Sequence, residues 1–564
     1  MTTSSLFTQL DLGKRSLMAQ QAGTSVAGHN IANIQNENFS RQRVDLSAEH
    51  PTRSRFGSGV SLKGVDRLTD RFLNQRLIAE QSRGGQTEAR VQGLRRLEGL
   101  FNDAEGFGLR QSLNQFWSAW GAVANSPEDE VYRTDLINAS NTLARRISGL
   151  NGDMKALRQE LNGKMAERVS RVNQLSQHIA ALNEKVQQGD RGHGEVNDLR
   201  DEREGALKEL SKLVQVDWFE SEKKTLEISI GNGFPLVYGR QANALEASFD
   251  HPETGYFSLR AIDPKGLSRD LTKDVKGGEI PELIALRDET VVKYANKLDQ
   301  FSAELAYQVN RIHSTGTGIN VKHQELHSSF AIKPDARQEP LPFLREGQFK
   351  IHLVDEDGSF LETYEIPIQA GKDSMDDIVN RINETVGRKD LFNARIEADG
   401  SITLATEGAH QFVLGEDNTD FPVLMGFNNF FETLHGAEDF RVNSRLLNRP
   451  AMISAGSGLL PGDNSVARAI HNLQYEPTME GSAITFDEFY NGMSADLGLT
   501  LNRAQNDAKN QQVVLDQFKK LRDEVSSVNM DEEVANMVQY QRGFEAASKF
   551  IGVVDEMTKT VINL

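Results

Sequence analysis

The 564-residue chain contains no cysteine. Disulfides, thiolate metal sites and cysteine nucleophiles are therefore excluded. The compartment is not settled by this, because a chain exported unfolded also gains from having no thiol to trap it. No run of 18 apolar residues occurs, so no membrane span is expected. The first residues lack a basic stretch followed by an apolar core, so no cleavable secretory signal is expected. Basic residues are outnumbered: 63 Lys and Arg against 81 Asp and Glu give a formal net charge of −18. Nucleic acid is disfavoured as a partner, because binding phosphate needs a basic face.

Recognisable chemistry is equally sparse. There is no G-x-x-x-x-G-K-[ST] phosphate loop, no H-E-x-x-H and no G-x-S-x-G. Gly192-His193-Gly194 reads as a flexible turn. His313 has no histidine at metal-ligand spacing. Asp355-Glu356-Asp357-Gly358 lacks the remaining ligands of a calcium loop and reads as hairpin-turn chemistry. Gly456-x-Gly458 precedes no clear phosphate-binding helix. No carboxylate pair stands out as an acid and base. The expectation is a protein with no catalytic residues, no metal and no cofactor.

What the chain does have is a seam at each end. Met530, Met537, Phe544, Ile551 and Thr558 recur every seven residues, with Tyr540, Ala547, Val554 and Val561 three residues after members of that series. This a/d pattern predicts a helix wound around another helix, with Val534 beside the stripe. Asn529 is placed to cap it, and Glu532 to reach back to the Asn529 amide. At the other end Leu6, Leu10, Gly13, Leu17, Gln20, Thr24, Ala27, Ile31 and Ile34 alternate by four and three. This second seam is thinner. Gly13, Gly23 and Gly28 lie inside it, and glycine costs about 1 kcal/mol relative to alanine in a helix interior. The two ends read as one interrupted module, each supplying a stripe that the other, or a neighbouring molecule, buries.

Between the ends the pattern changes several times. A helical pattern resumes near Asp66, breaks at Gly84-Gly85 and continues from Thr87 to Gly106–Gly108. Leu113, Phe116, Trp117, Trp120 and Val123 give an amphipathic helix whose aromatics read as core. From Leu136 to Val186 helical spacing holds for roughly 50 residues. A Gly231-Asn232-Gly233 turn joins two short strands, and Pro281–Ile312 reads as one long helix. From about Gly318 a ββαββ pattern follows, with core candidates Ile351, Leu353, Ile366, Ile378, Ile382 and Leu404. A helix is expected from about Asp496 to Ser526.

The predicted fold class is α+β multidomain, mainly α, with an elongated nested architecture. Residues 1–50 and 528–564 form a terminal coiled-coil module. Residues 51–317 and 441–527 form an inner helical domain with a small β portion. Residues 318–440 form a β-rich inserted domain. Two rival readings are a wall-cleaving hydrolase hidden in the insertion and a cytosolic coiled-coil scaffold. The first needs a cleft with paired carboxylates of raised pKa, and the second needs continuous heptads that the β regions interrupt.

Gly28-His29-Asn30-Ile31-Ala32-Asn33, followed by Phe39-Ser40-Arg41-Gln42, resembles the N-terminal pattern of flagellar axial proteins. Ser40-Arg41-Gln42 is the part that resembles the hook-associated protein 1 family, although Glu37-Asn38-Phe39 stands where that family has Pro-Gly-Tyr. Further matches follow in order: Ala124-Asn125-Ser126-Pro127 with Arg133, Asn197–Arg203, Gly277-Gly278 with Leu286-Arg287-Asp288, Asn310–His313, Gly426–Phe431, Gly462-Asp463-Asn464, and Val528–Glu533 with Tyr540-Gln541 and Asp555-Glu556-Met557. The resemblance covers essentially the whole chain. It implies a structural protein without catalytic activity, exported unfolded through the flagellar type III pathway and located at the hook–filament junction. Implied partners are further copies of itself, the hook protein, a second hook-associated junction protein, and a cytosolic export chaperone at the C-terminal helix. The expected assembly interface comprises Leu6, Leu10, Leu17, Ile31, Met530, Val534, Met537, Phe544, Ile551, Val554 and Val561. Asn30, Asn33, Phe39, Ser40, Arg41 and Gln42 are the family-motif residues.

Overall fold

A computed structural model describes residues 2–49, 59–101, 108–189, 196–249, 255–262, 266–319, 322–333, 336–355, 359–388, 391–457, 460 and 462–562, without the side chains of residues 2–5, 561 and 562. Gly192-His193-Gly194, residues 356–358 of the acidic turn, Gly458 and the Val561 side chain lie outside the described residues. The helices are α1 (Thr2–Ala32), α2 (Arg71–Leu100), α3 (Leu109–Asn125), α4 (Glu130–Gly189), α5 (Asn197–Leu213), α6 (Glu279–Ala285), α7 (Val291–His313), α8 (Met375–Val386), α9 (Phe421–Met425), α10 (Ser444–Asn448), α11 (Ser465–Asn472), α12 (Met479–Ser482), α13 (Phe486–Ser526) and α14 (Met530–Ile562). The chain is mainly α with several small antiparallel sheets. It divides into two units, each assembled from separated segments: one from 1–94, 159–288 and 501–564, the other from 95–158 and 289–500.

The first unit contains both chain ends. A hairpin pairs Gln42–Ala48 with Val60–Arg67, where the expected helix near Asp66 gives way to strand. Helix α2 runs unbroken through Gly84-Gly85. Gly85 has a packing reason instead: a Cβ there would lie 2.2 Å from the Lys212 carbonyl oxygen at the end of α5. Only glycine permits so close an approach. The turn at Gly231-Asn232-Gly233 joins Leu226–Ile230 to Phe234–Tyr238 as expected, with both outer glycines at positive φ. Asn183 of α4 donates to the Leu226 and Gly239 carbonyls and accepts from the Leu226 amide, fastening this sheet. The long helix expected over Pro281–Ile312 carries a π turn at Leu286–Thr290. Within that turn Arg287 is buried and donates to Asn162 Oδ1 at 2.6 Å and to the Phe257 carbonyl at 2.9 Å. The widened turn is what aims the guanidinium there, the usual setting for a π bulge.

The second unit is built on an aromatic core. Phe116 of α3 packs with Phe430 and Phe431, Trp120 packs with Phe430, and Trp117 meets Phe116 and Phe486. These rings are core, as their helical spacing suggests. Arg133, also buried, donates to the Pro127 carbonyl and to the Ile453 carbonyl. Burial pulls its pKa down to about 10 despite the nearby Glu130 carboxylate. His313 is fully buried between the Asn428 carbonyl, 2.7 Å from Nδ1, and the Ser454 amide, 2.9 Å from Nε2. Both ring nitrogens are thus used by a neutral imidazole, and burial lowers its pKa to about 4.

The two hairpins expected after Gly318 form, but they belong to different sheets. Gly347–Val354 sits between Phe360–Ile368 and Gln411–Asp417, while Ile402–Thr406 sits between Glu325–His327 and Phe392–Ile396. Both sheets share one hydrophobic cluster with α8, including Ile351, Ile366, Ile378, Ile382, Leu404 and Phe412. Ser374 and Asp377 cap α8 reciprocally. Helix α13 begins at Phe486, ten residues before the expected start. Phe486, Phe489 and Tyr490 are buried around Phe301, so the first turns are held by aromatic packing rather than by a repeating stripe.

Candidate assembly site

Helices α1 and α14 lie side by side. Gly13 faces Ile551, Gln20 faces Gly543, Gly23 faces Tyr540 and Asn30 bonds to Glu533. Each step up one helix is matched by an equal or nearly equal step down the other, so the pair is antiparallel. Two of the glycines that weaken the N-terminal pattern, Gly13 and Gly23, are contact points, as is Gly543 on α14. A Cβ at Gly13, Gly23 or Gly543 would come within 2.6 Å of the facing Ile551, Tyr540 or Gln20 side chain. Gly28 has no atom within 4 Å of its would-be Cβ, and nothing in the structure explains it.

The face that α14 turns to α1 carries Glu533, Tyr540, Gly543, Ala547, Ile551, Val554 and Thr558. Leu6 and Val554 are buried, whereas Leu10, Leu17, Ile31, Met537 and Ile551 are half-buried. Met530, Val534 and Phe544 are 41–42% exposed. A strict seven-residue repeat drifts around a straight helix of 3.6 residues per turn. Some members of the stripe, Met530 and Phe544 among them, therefore turn away from the intrachain contact. Phe7 and Met18 on α1, and Phe550, Val553 and Met557 on α14, are exposed as well.

The motif residues meet at the closed end of this pair. Asn30 is 0% exposed. Its Nδ2 donates to the Gln42 carbonyl at 2.9 Å and to Glu533 Oε2 at 3.0 Å, and its Oδ1 accepts from the Gln42 amide at 3.0 Å. Arg41 Nε donates to Glu533 Oε1 at 2.8 Å, its Nη1 donates to Glu532 at 2.7 Å, and its amide donates to the Ser526 carbonyl. Glu532 thus turns to Arg41, where a capping box would send it back to Asn529. A charge-assisted bond is the stronger option. Asn529 caps alone, accepting from the Asp531 amide at 3.0 Å. Desolvation opposes the Arg41 charge, but Glu532 and Glu533 overcome it and leave the pKa above the ordinary value.

A third segment completes the cluster. The Ser40 amide donates to Asp201 of α5 at 3.0 Å, and Gln42 Nε2 donates to Asp198 at 2.8 Å. Arg67, at the end of the second hairpin strand, reaches Asp201 at 2.6 Å. Burial raises the Asp201 pKa, against the pull of Arg67 and the Ser40 amide. His29 touches Asp198 and stacks edge-on against the buried Phe39. Asn33 is half-buried and returns its side chain to the His29 carbonyl. Three sequence matches some 160 and 500 residues apart, at Gly28–Gln42, Asn197–Arg203 and Val528–Glu533, therefore form one polar cluster. A cleft of about 660 Å³ opens beside it, lined in part by Asn38, Phe39, His178, Asp198 and Glu202. Arg67 carried no signal in the sequence, because an arginine at a strand end is ordinary. Among the described residues no group of three or more His, Asp or Glu could hold a metal, and no helix is long and apolar enough to cross a membrane.

Such a site has the chemistry of an interface. The exposed apolar side chains can pack against other helices, and the charged cluster can hold two chain ends together. Residues 94–325 match the model of the flagellar hook-associated protein FlgK helical domain, and residues 522–564 match that of the flagellar basal body rod FlgEFG protein C-terminal region. The flagellar hook-associated protein 1 of Bacillus subtilis is 24% identical, covering 99% of this chain and 98% of that protein. Its counterpart in Escherichia coli is 23% identical over 97% of this chain and 98% of that one. The solved structure of the flagellar hook junction protein FlgK from Burkholderia pseudomallei superposes with a TM-score of 0.54 at 15% identity, covering 81% of this chain and all of that chain. The chain therefore resembles the flagellar axial proteins. Among them the similarity along nearly the whole chain is to flagellar hook-associated protein 1.

Proposed function

We propose that this protein is a structural component of the bacterial flagellum that joins hook to filament. The observation that carries the reading is similarity to hook-associated protein 1 along nearly the whole of both chains. In this reading the protein is exported unfolded, assembles with further copies of itself, and adjoins the hook protein on one side and a second hook-associated junction protein on the other. The interface comprises Leu6, Leu10, Leu17, Ile31, Met530, Val534, Met537, Phe544, Ile551, Val554 and Val561, some within the chain and some between copies. The half-exposed Met530, Val534 and Phe544, on a helix already paired along another face, support the second kind of contact. Residues 318–440 act as an inserted outer domain within a nested architecture, and the protein is not an enzyme.

The C-terminal helix also serves a cytosolic chaperone before export. A helix showing Met530, Val534 and Phe544 to water needs cover, and such a helix is a common ligand for an apolar groove. The deciding experiment is deletion of the gene. Hooks without filaments, with flagellin lost to the medium, are expected, and restoration by the full chain but not by one ending before Asn529. Normal filaments in the deletion strain overturn the function. Unchanged calorimetric affinity of the chaperone for the shortened chain overturns the chaperone site alone.

A further inference from the structure

Helices α1 and α14 hold surprisingly little apolar cover between them. Among their described residues the buried apolar side chains are Leu6, Ala19, Ala27, Ala547 and Val554, three of them alanine. Exposed apolar side chains occur at both ends of the pair: Phe7, Phe550, Val553 and Met557 at the end remote from the polar cluster, Ile34, Met530, Val534 and Val538 at the other. Stabilisation is roughly proportional to the apolar area buried, so apolar contact holds the pair only weakly along its whole length. The glycine contacts at 13, 23 and 543 favour one register, yet they add little buried apolar area. A stronger hold on the chain ends has to come from polar contact.

The polar cluster has the properties required. Asn30 in the last turns of α1 and Glu533 in the first turn of α14 are both buried and bonded to each other. Arg41 ties the same Glu533 to the backbone that enters the hairpin, and Ser40 and Gln42 tie that backbone to α5. A slip of seven residues would remove Asn30 from Glu533 and leave a buried carboxylate with fewer donors, a costly state. A buried polar contact that fixes helix register is a well-attested use of such groups.

We propose that Asn30, Arg41 and Glu533 anchor the terminal helix pair: they set its register, and they are the last part of it to open. These are positioning residues, acting through the helices they hold. The proposal concerns the single chain, so its failure would leave the assembly reading untouched, and the reverse.

Hydrogen exchange on the full-length protein tests it. In the native sequence, amide protection should fall steadily from residues 27–30 towards Leu6, and from residues 533–537 towards Thr558. Glu533→Leu should speed exchange along the whole of both helices at least tenfold while α7 keeps its protection. Arg41→Gln, a milder change with no new apolar group, should act in the same direction and serves if Glu533→Leu does not fold. Ile551→Ala, at the remote end, should speed exchange several-fold in residues 6–17 and 547–558 and leave residues 27–30 and 533–537 unchanged. Unaltered exchange in α1 and α14 of Arg41→Gln overturns the proposal. Equal opening of both ends in Ile551→Ala also overturns it, because the pair would then open as one unit without an anchor.

Discussion

At the scale of single residues, the buried titratable groups set an acid limit on the second unit. His313 and His323 are both buried, and burial holds each imidazole at a pKa of about 4. The ordinary value is near 6.5, so folding favours the neutral ring. Their contribution is complete above pH 6.5 and is lost as the pH falls towards 4. Each amounts to about 3 kcal/mol. Urea unfolding followed through Trp117 and Trp120 should show stability falling between pH 6.5 and 4, with a shallower fall in His313→Gln. A flat profile over that range would contradict the neutral assignment. Arg133 is the second test. Its fork reaches two carbonyls that a lysine cannot serve together. Arg133→Lys should cost the second unit about 2 kcal/mol, measured by the same unfolding, through loss of a buried hydrogen bond.

At the scale of elements, glycines inside helices differ in sign according to what they face. Gly85 in α2 lies against the Lys212 backbone, and Gly28 in α1 faces open space. Gly85→Ala should destabilise by about 1–3 kcal/mol, because backbone cannot swing aside as a side chain can. Gly28→Ala should stabilise α1 by up to about 1 kcal/mol, since alanine restricts the unfolded chain and favours helix. Hydrogen exchange of the two helices reads both changes in one experiment. Equal effects would show that helix propensity outweighs packing here. The same reasoning explains why the terminal seam looks thin in sequence. Its glycines at 13, 23 and 543 admit Ile551, Tyr540 and Gln20, so small residues on one helix are answered by large ones on the other.

At the scale of the whole molecule, the stripe on α14 separates into two populations. Ile551 lies over Gly13 within the chain, whereas Phe544 is 42% exposed. Phe544→Asp should leave the helix pair's exchange near native and still abolish filament attachment, because a carboxylate cannot be buried unpaired in an interface between copies. Ile551→Asp should open the pair as well as abolish attachment. Swimming cells with normal filaments in the Phe544→Asp strain would remove that residue from the interface. Deleting residues 318–426, which spares Asn428, Phe430 and Phe431 of the aromatic core, should leave export intact and joining partly intact, scored by secretion and by filament counts. Export without any filament would make the insertion part of the joint.

Local features of this protein could be read from sequence because their causes are local. The Gly231-Asn232-Gly233 turn needs positive φ at its glycines, and α4 repeats its apolar spacing without interruption. The absence of cysteine and the scarcity of basic residues narrowed the chemistry in the same way. Helix period also showed that Phe116, Trp117 and Trp120 are core, since a stripe of that width has to be covered. Tertiary structure decided the rest. Gly84-Gly85 reads as a break until Lys212 lies against Gly85, and Glu532 reads as a capping partner until Arg41 offers a stronger bond. A heptad says that α14 has a seam but leaves its two flanks equivalent. Only the facing of Gly23 by Tyr540 and of Asn30 by Glu533 chooses between them. Periodicity is carried by neighbours three and four residues away, whereas the cluster at Asn30, Asp198, Asp201 and Glu533 joins residues hundreds apart, whose pairing exists only once the chain has folded.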